Sequence, residues 1–172
     1  MALALVLVVG VFGTLAYLTD SESVTNTFTI GNVGITLAET EGGEDHQFKM
    51  IPGQTIRKDP VVTVDAGSEA CWLFVKVTES DNLDDFITYT VDSGWTALTG
   101  VSGVYDREVA AVSADTSFDV LTGNAVTVKD TVTKTMMDAL TDNTLPTLTF
   151  KAYAIQKSGF DTVEAAWAKV SA

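Results

Sequence analysis

The 172-residue chain holds one cysteine, Cys71, and one histidine, His46. A lone cysteine excludes an intrachain disulfide, so the fold must be held by packing or by partners. A lone histidine excludes the paired histidines, one helical turn apart with a Glu between them, of the usual zinc proteases. His46 sits in the polar stretch Glu44-Asp-His-Gln-Phe48 and reads as a surface-loop residue. No Ser/His/Asp arrangement can be assembled from it, so no catalytic residue is assigned. Basic residues are scarce as well: ten Lys and Arg stand against twenty-three Asp and Glu, for a net charge of -13. Such a surface cannot neutralise phosphates, which argues against nucleic acid and against anionic lipid. The apolar run from Ala2 to Ala16 falls short of the ~20 residues of a membrane helix, and no Lys or Arg precedes it.

What is present begins with that run. An uncharged apolar segment ending in small residues matches a secretory signal peptide, here without its basic n-region. Thr14 and Ala16 form the best small-x-small pair, which puts cleavage between Ala16 and Tyr17. Read the other way, the run is an uncleaved anchor or a buried strand; in either case the remainder is exported, to the extracellular matrix or the cell surface. The expected organisation is a signal peptide over 1–16, an N-terminal segment over 17–28, and a single domain over 29–172. A chain of this size can bury a core.

Past the leader the pattern is β throughout, rich in Thr, Val and aromatics and punctuated by Gly, Pro and Asp-Asn. Strands are expected at Thr27–Ile30, Gly34–Ala38, Gln54–Val64, Ala70–Thr78, Phe86–Val91, Val104–Val109, Phe118–Leu121, Ala125–Val128 and Thr147–Gln156. Many short strands without βαβ alternation predict an all-β sandwich or barrel with one or two short helices. One helix is expected over Thr133–Leu140. A second starts at an Asp161 N-cap and carries the apolar stripe Val163, Ala166, Trp167 and Val170. The stretch Glu39–Asp45 reads as a solvated acidic loop. In Ala70–Thr78, alternation sends Cys71, Leu73, Val75 and Val77 to one face, and Trp72, Phe74, Lys76 and Thr78 to the other. The first face is core, which makes Cys71 a small buried hydrophobe rather than a reactive or metal-bound thiol. The second face is too apolar for an exposed sheet, as is that of Tyr153 and Ile155. Either the C-terminal helix or a long loop covers Trp72, Phe74, Tyr153 and Ile155, or they form a groove or edge that accepts a strand from another molecule.

Several blocks carry a resemblance. The leader runs into Ala16-Tyr-Leu-Thr-Asp-Ser-Glu-Ser and then Asn26-Thr-Phe-Thr-Ile-Gly-Asn-Val-Gly-Ile-Thr-Leu-Ala-Glu39. Ile51-Pro-Gly-Gln-Thr-Ile-Arg-Lys-Asp-Pro-Val-Val-Thr-Val64 is followed by Cys71-Trp-Leu-Phe-Val-Lys-Val77. Leu148-Thr-Phe-Lys-Ala-Tyr-Ala-Ile-Gln156 precedes Gly159-Phe-Asp-Thr and Ala166-Trp167. Together these resemble the TasA/camelysin family of secreted bacterial proteins. The resemblance implies a jelly-roll-like β-sandwich processed by a dedicated signal peptidase and able to polymerise into biofilm-matrix fibres. It further implies that the N-terminal segment of each subunit pairs as a strand with the next copy. The candidate donor is Tyr17 to Phe28, with Tyr17, Leu18, Val24 and Phe28 as its apolar residues and Asp20 and Glu22 bearing on register or solubility. The same segment also reads as a disordered tail. A monomeric surface-binding module, with Trp72, Phe74, Trp95, Tyr105 or Tyr153 in a ligand patch, is the alternative from a different class. Some relatives are classed as metallopeptidases, an activity for which this sequence has no zinc motif. No cofactor is expected; of the metals, calcium suits the chain best, through Asp81, Asp84 and Asp85 in Ser80-Asp-Asn-Leu-Asp-Asp85, which lacks the spacing of a defined calcium loop.

Overall fold

The computed structural model describes residues 17–19, 32–39 and 47–172. Strands and short helices follow in the order β1 (Tyr17–Thr19), β2 (Ile35–Ala38), β3 (Gln47–Lys49), β4 (Thr55–Arg57), β5 (Val61–Val64), β6 (Cys71–Glu79), α1 (Leu83–Phe86) and β7 (Ile87–Thr88). Then come β8 (Thr96–Ala97), β9 (Val104–Val109), β10 (Thr116–Asp119), β11 (Ala125–Val128), α2 (Lys134–Asp138), β12 (Leu148–Gln156) and α3 (Val163–Val170). Every pairing among them is antiparallel, in sheets ordered β12-β6-β9-β8, β10-β5-β2 and β4-β11-β7, with β1-β3 as a separate pair. The fold is all-β and sandwich-like. Among the described residues no helix is long and apolar enough to cross a membrane. The expected strand Thr27–Ile30 lies outside the described residues.

The longest ladder joins β6 to β12 over nine residue pairs, from Leu148 opposite Glu79 to Gln156 opposite Cys71. Its inner face, Leu73, Val75 and Val77 with Phe150, Ala152 and Ala154, joins Ile35, Leu37, Val62, Val64 and Val126 in the main core. The small alanines let β12 run close to β2. Cys71 is fully buried in this core, and burial pushes its thiol up to about 11, as for an unreactive small hydrophobe.

The expected single strand Gln54–Val64 is broken. Residues 58–60 lie between β4 and β5, opposite residues 120–124 between β11 and β10, so three residues face five. The surplus forms a 3-10 turn in which Gly123 and Asn124 take positive φ, 68° and 52°. Hydrogen bonds from Val120 N to Pro60 O and from Lys58 N to Asn124 O, both 2.9 Å, carry the ladder across this bulge. Lys58, in phase with Ile56 and Val62, points inward here and is buried. Other corrections are smaller. Phe86 closes α1, and the expected strand beyond it shrinks to β7 and a bridge from Val91 to Leu121. The cap of α3 is Thr162, whose hydroxyl accepts from Ala165 N at 3.2 Å; Asp161 lies one residue outside.

Candidate functional site

The N-terminal strand bears most directly on assembly. β1 pairs with β3 in the register Tyr17 to Lys49, Leu18 to Phe48 and Thr19 to Gln47. The pair stands apart from the other sheets. Past β3, Met50 is buried in the main core, and the chain then turns at Pro52-Gly53. Gly53 needs its positive φ of 75° there, and its amide donates to Val128 O at 3.0 Å, which ties the turn to β11. Tyr17 and Leu18 of the expected donor lie in β1; Asp20, Glu22, Val24 and Phe28 lie outside the described residues, as does His46.

The expected acceptor patch is closed by the chain itself. α3 lies across the outer face of β6 and β12, so Phe74 and Ile155 are buried and Trp72 and Tyr153 half-buried. The Trp167 ring packs 5.3 Å from both Phe74 and Tyr153, edge-on to the latter at 87°. A groove awaiting a foreign strand is therefore absent at these four residues. Lys157 reaches back over the Trp72 ring at 5.3 Å and pairs with Glu108, leaving the buried Trp72 Nε1 without a partner. Nor do the aromatics form one ligand patch: Trp95 and Tyr105 lie on the main-core side, Trp95 buried and donating to Asp119 O at 2.8 Å, Tyr105 half-buried at the edge of a cleft.

The calcium candidates are not brought together. Asp81 precedes α1, and Asp84 and Asp85 lie in its first turn, all three exposed. Nearby oxygens are engaged locally: Ser80 Oγ donates to Asn82 Oδ1 at 2.8 Å and accepts from Thr147 N at 2.9 Å. Among the described residues no group of three or more His, Cys, Asp or Glu could hold a metal ion.

Two arrangements carry no local sequence signal. The first is an ion pair: Lys58 Nζ is 3.0 and 3.2 Å from the two carboxylate oxygens of Glu39, with side-chain exposures of 0% and 3%. Lys58 Nζ also lies 5.4 Å from the centre of the Phe150 ring. Glu39, expected in a solvated loop, is thus a buried anchor at the end of β2. The second is an open cleft of about 480 Å3, lined by Glu79 from β6, Asp84 from α1, Thr88, Tyr89 and Thr90 from β7 and beyond, and Tyr105 from β9. Tyr89 donates its hydroxyl proton to Glu79 Oε1. Burial, this bond and the negative field of Glu79, Tyr105 and Asp84 push its ionisation far above the ordinary tyrosine range. Comparison with known proteins returned no match: no family profile, no curated protein and no solved structure is significantly similar to this chain.

Proposed function

We propose that this protein is an exported structural subunit of an extracellular or cell-surface fibre of the biofilm-matrix type, its copies joined head to tail by donation of the N-terminal segment. The observation that supports this is the β1–β3 pair: the first residues after the small-residue site are already extended and paired, in a ladder separate from the other sheets. A ladder made within one chain can be remade in the same register by the β1 of a neighbouring copy. That exchange is β-augmentation, and because donor and acceptor are different surfaces it propagates instead of closing on a dimer. The resemblance to the TasA/camelysin family points the same way. No catalytic step is part of this reading, and the signal peptidase acts on the chain only during export.

Charge sets the conditions. Each junction brings two strongly acidic chains together, and their repulsion reaches ~30 Å at 0.01 M salt but only ~8 Å at physiological salt. Light scattering of protein beginning at Tyr17 should therefore show assembly that quickens with salt or mild acid. Protein lacking residues 17–28 should stay monomeric and β-rich under the same conditions. Equal polymerisation of the shortened form would overturn strand donation. Failure of both forms to assemble would favour the monomeric binding module.

A further inference from the structure

We propose that the cleft between α1, β7 and β9 is a binding site for an alkylammonium group, supplied by a free amine or by a lysine side chain of another protein. Its volume, about 480 Å3, falls in the range of small-molecule sites. Two carboxylates, Glu79 and Asp84, meet two half-buried tyrosines, Tyr89 and Tyr105, and neither Lys nor Arg lines the space. Lys129 donates to the backbone carbonyl of Asp84, and its side chain is not among the residues that line the cleft. A bare metal ion fits poorly, since one oxygen of Glu79 already accepts from Tyr89 and, among the described residues, no third acidic or imidazole ligand converges. An ammonium on an alkyl stem suits the lining better. Its charge meets the carboxylates, and its methylenes lie against aromatic rings whose faces attract cations.

Beyond burial and the hydrogen bond to Glu79, the negative field of Glu79 and Asp84 also holds back the ionisation of Tyr89, and that field favours a cation in the cleft. The chain also shows this chemistry satisfied internally, two residues along β9. There Arg107 lies 4.5 Å from the Phe118 ring and 5.4 Å from the Trp95 ring. Selectivity follows from the geometry. A neutral chain of equal length lacks the charge attraction to Glu79 and Asp84, and a hydrated inorganic cation has no alkyl stem to lay against the rings.

The test titrates the full chain with n-butylammonium and with Nα-acetyl-lysine N-methylamide, followed by amide NMR. N-butylacetamide, sodium and maltose serve as controls. Saturable shifts confined to residues 79, 84, 88–91 and 105, produced by either amine and by none of the controls, are expected. Tighter binding of the lysine derivative identifies a protein side chain as the source, and tighter binding of butylammonium a free amine. Glu79→Gln and Asp84→Asn should each weaken binding about fivefold, while Asp161→Asn, exposed beside the cap of α3 on the outer face, should leave it unchanged. These substitutions keep side-chain shape at exposed positions, and an unchanged melting temperature verifies that the fold persists. Shifts spread over all exposed carboxylates, equal weakening by Asp161→Asn, or equal binding of N-butylacetamide or maltose would overturn the assignment.

Discussion

The two faces of the β6–β12 ladder share the same nine residue pairs and are closed in different ways. The inner face meets residues of β2, β5 and β11 in one continuous core. Its edge holds the buried Lys58–Glu39 pair against Phe150. The outer face is covered mainly by one eight-residue helix, through Trp167 and Ala166 onto Phe74 and Ile155, with Leu98 and Val101 packed into the same cluster. Further along that face Lys76 stands opposite Lys151, both exposed, and the covering has ended. Strand alternation thus sorts residues to faces, but what closes a face is decided by distant segments. The inner closure is shared among several strands; the outer one rests mainly on one eight-residue helix.

The largest expected effect lies on the inner side. Lys58→Ala leaves the Glu39 carboxylate buried without its ammonium, and such a break costs about 3–5 kcal/mol. Replacing both together, Lys58→Met with Glu39→Leu, removes the two desolvated charges and should recover most of that loss. Denaturant unfolding of the three proteins checks it. A single-variant loss below about 1 kcal/mol would mean that the pair is solvated like the exposed Lys134–Asp138 pair.

Next comes the helix. Trp167→Ala removes the ring shared by Phe74 and Tyr153 and should cost about 3 kcal/mol, the lower end for a buried aromatic, because opening lets water in. Under native conditions the variant should bind an apolar dye on its outer face while Cys71, on the inner face, stays unreactive to thiol reagents. A thiol that becomes reactive at the same rate as the dye binds would show that the two faces open as one unit.

The sequence made some of this contrast legible. Period two in residues 71–77 separates Cys71, Leu73, Val75 and Val77 from Trp72 and Phe74, and the stripe Val163, Ala166, Trp167, Val170 marks a one-faced helix. Both a helical cover and an open groove fitted those residues. The choice rests on the chain path after Gln156, where Gly159, at φ 99°, helps bring α3 back over the strand it has just left. The break at 58–60 was not legible, because the surplus residues that make it lie on the other strand, at 120–124. Glu39, the partner of Lys58, sits at the head of an acidic stretch that looks fully solvated. The cleft drew its residues from four separate segments, each with an unremarkable local pattern. Alternation and stripes are local signals; ion pairs and clefts of this kind are made by long-range pairing.

The smallest expected effect tests the outer face from its charged rim. Asp106 lies beside Phe74 on that face, and burial, followed by repulsion from Glu164 in the first turn of α3, raises its carboxyl above the ordinary range. The folded protein therefore holds the Asp106 proton more tightly than the unfolded chain does. Its contribution to stability is complete below the unfolded pKa and is lost as pH rises through the higher folded pKa. Asp106→Asn should accordingly leave stability unchanged in acid, where the carboxyl is protonated in both states, and raise it near neutrality. The gain should be only about 0.5 kcal/mol, since the group is half-exposed and solvent screens it. Glu164→Gln should give less, because the same carboxylate that repels Asp106 also favours the N-terminus of α3, a competing effect worth about 0.3–1 kcal/mol. Urea unfolding of the two variants from acid to neutral pH separates these contributions. A stabilisation by Asp106→Asn that persists unchanged into acid would place its origin in packing, and the outer rim would then differ from the inner edge in apolar fit alone.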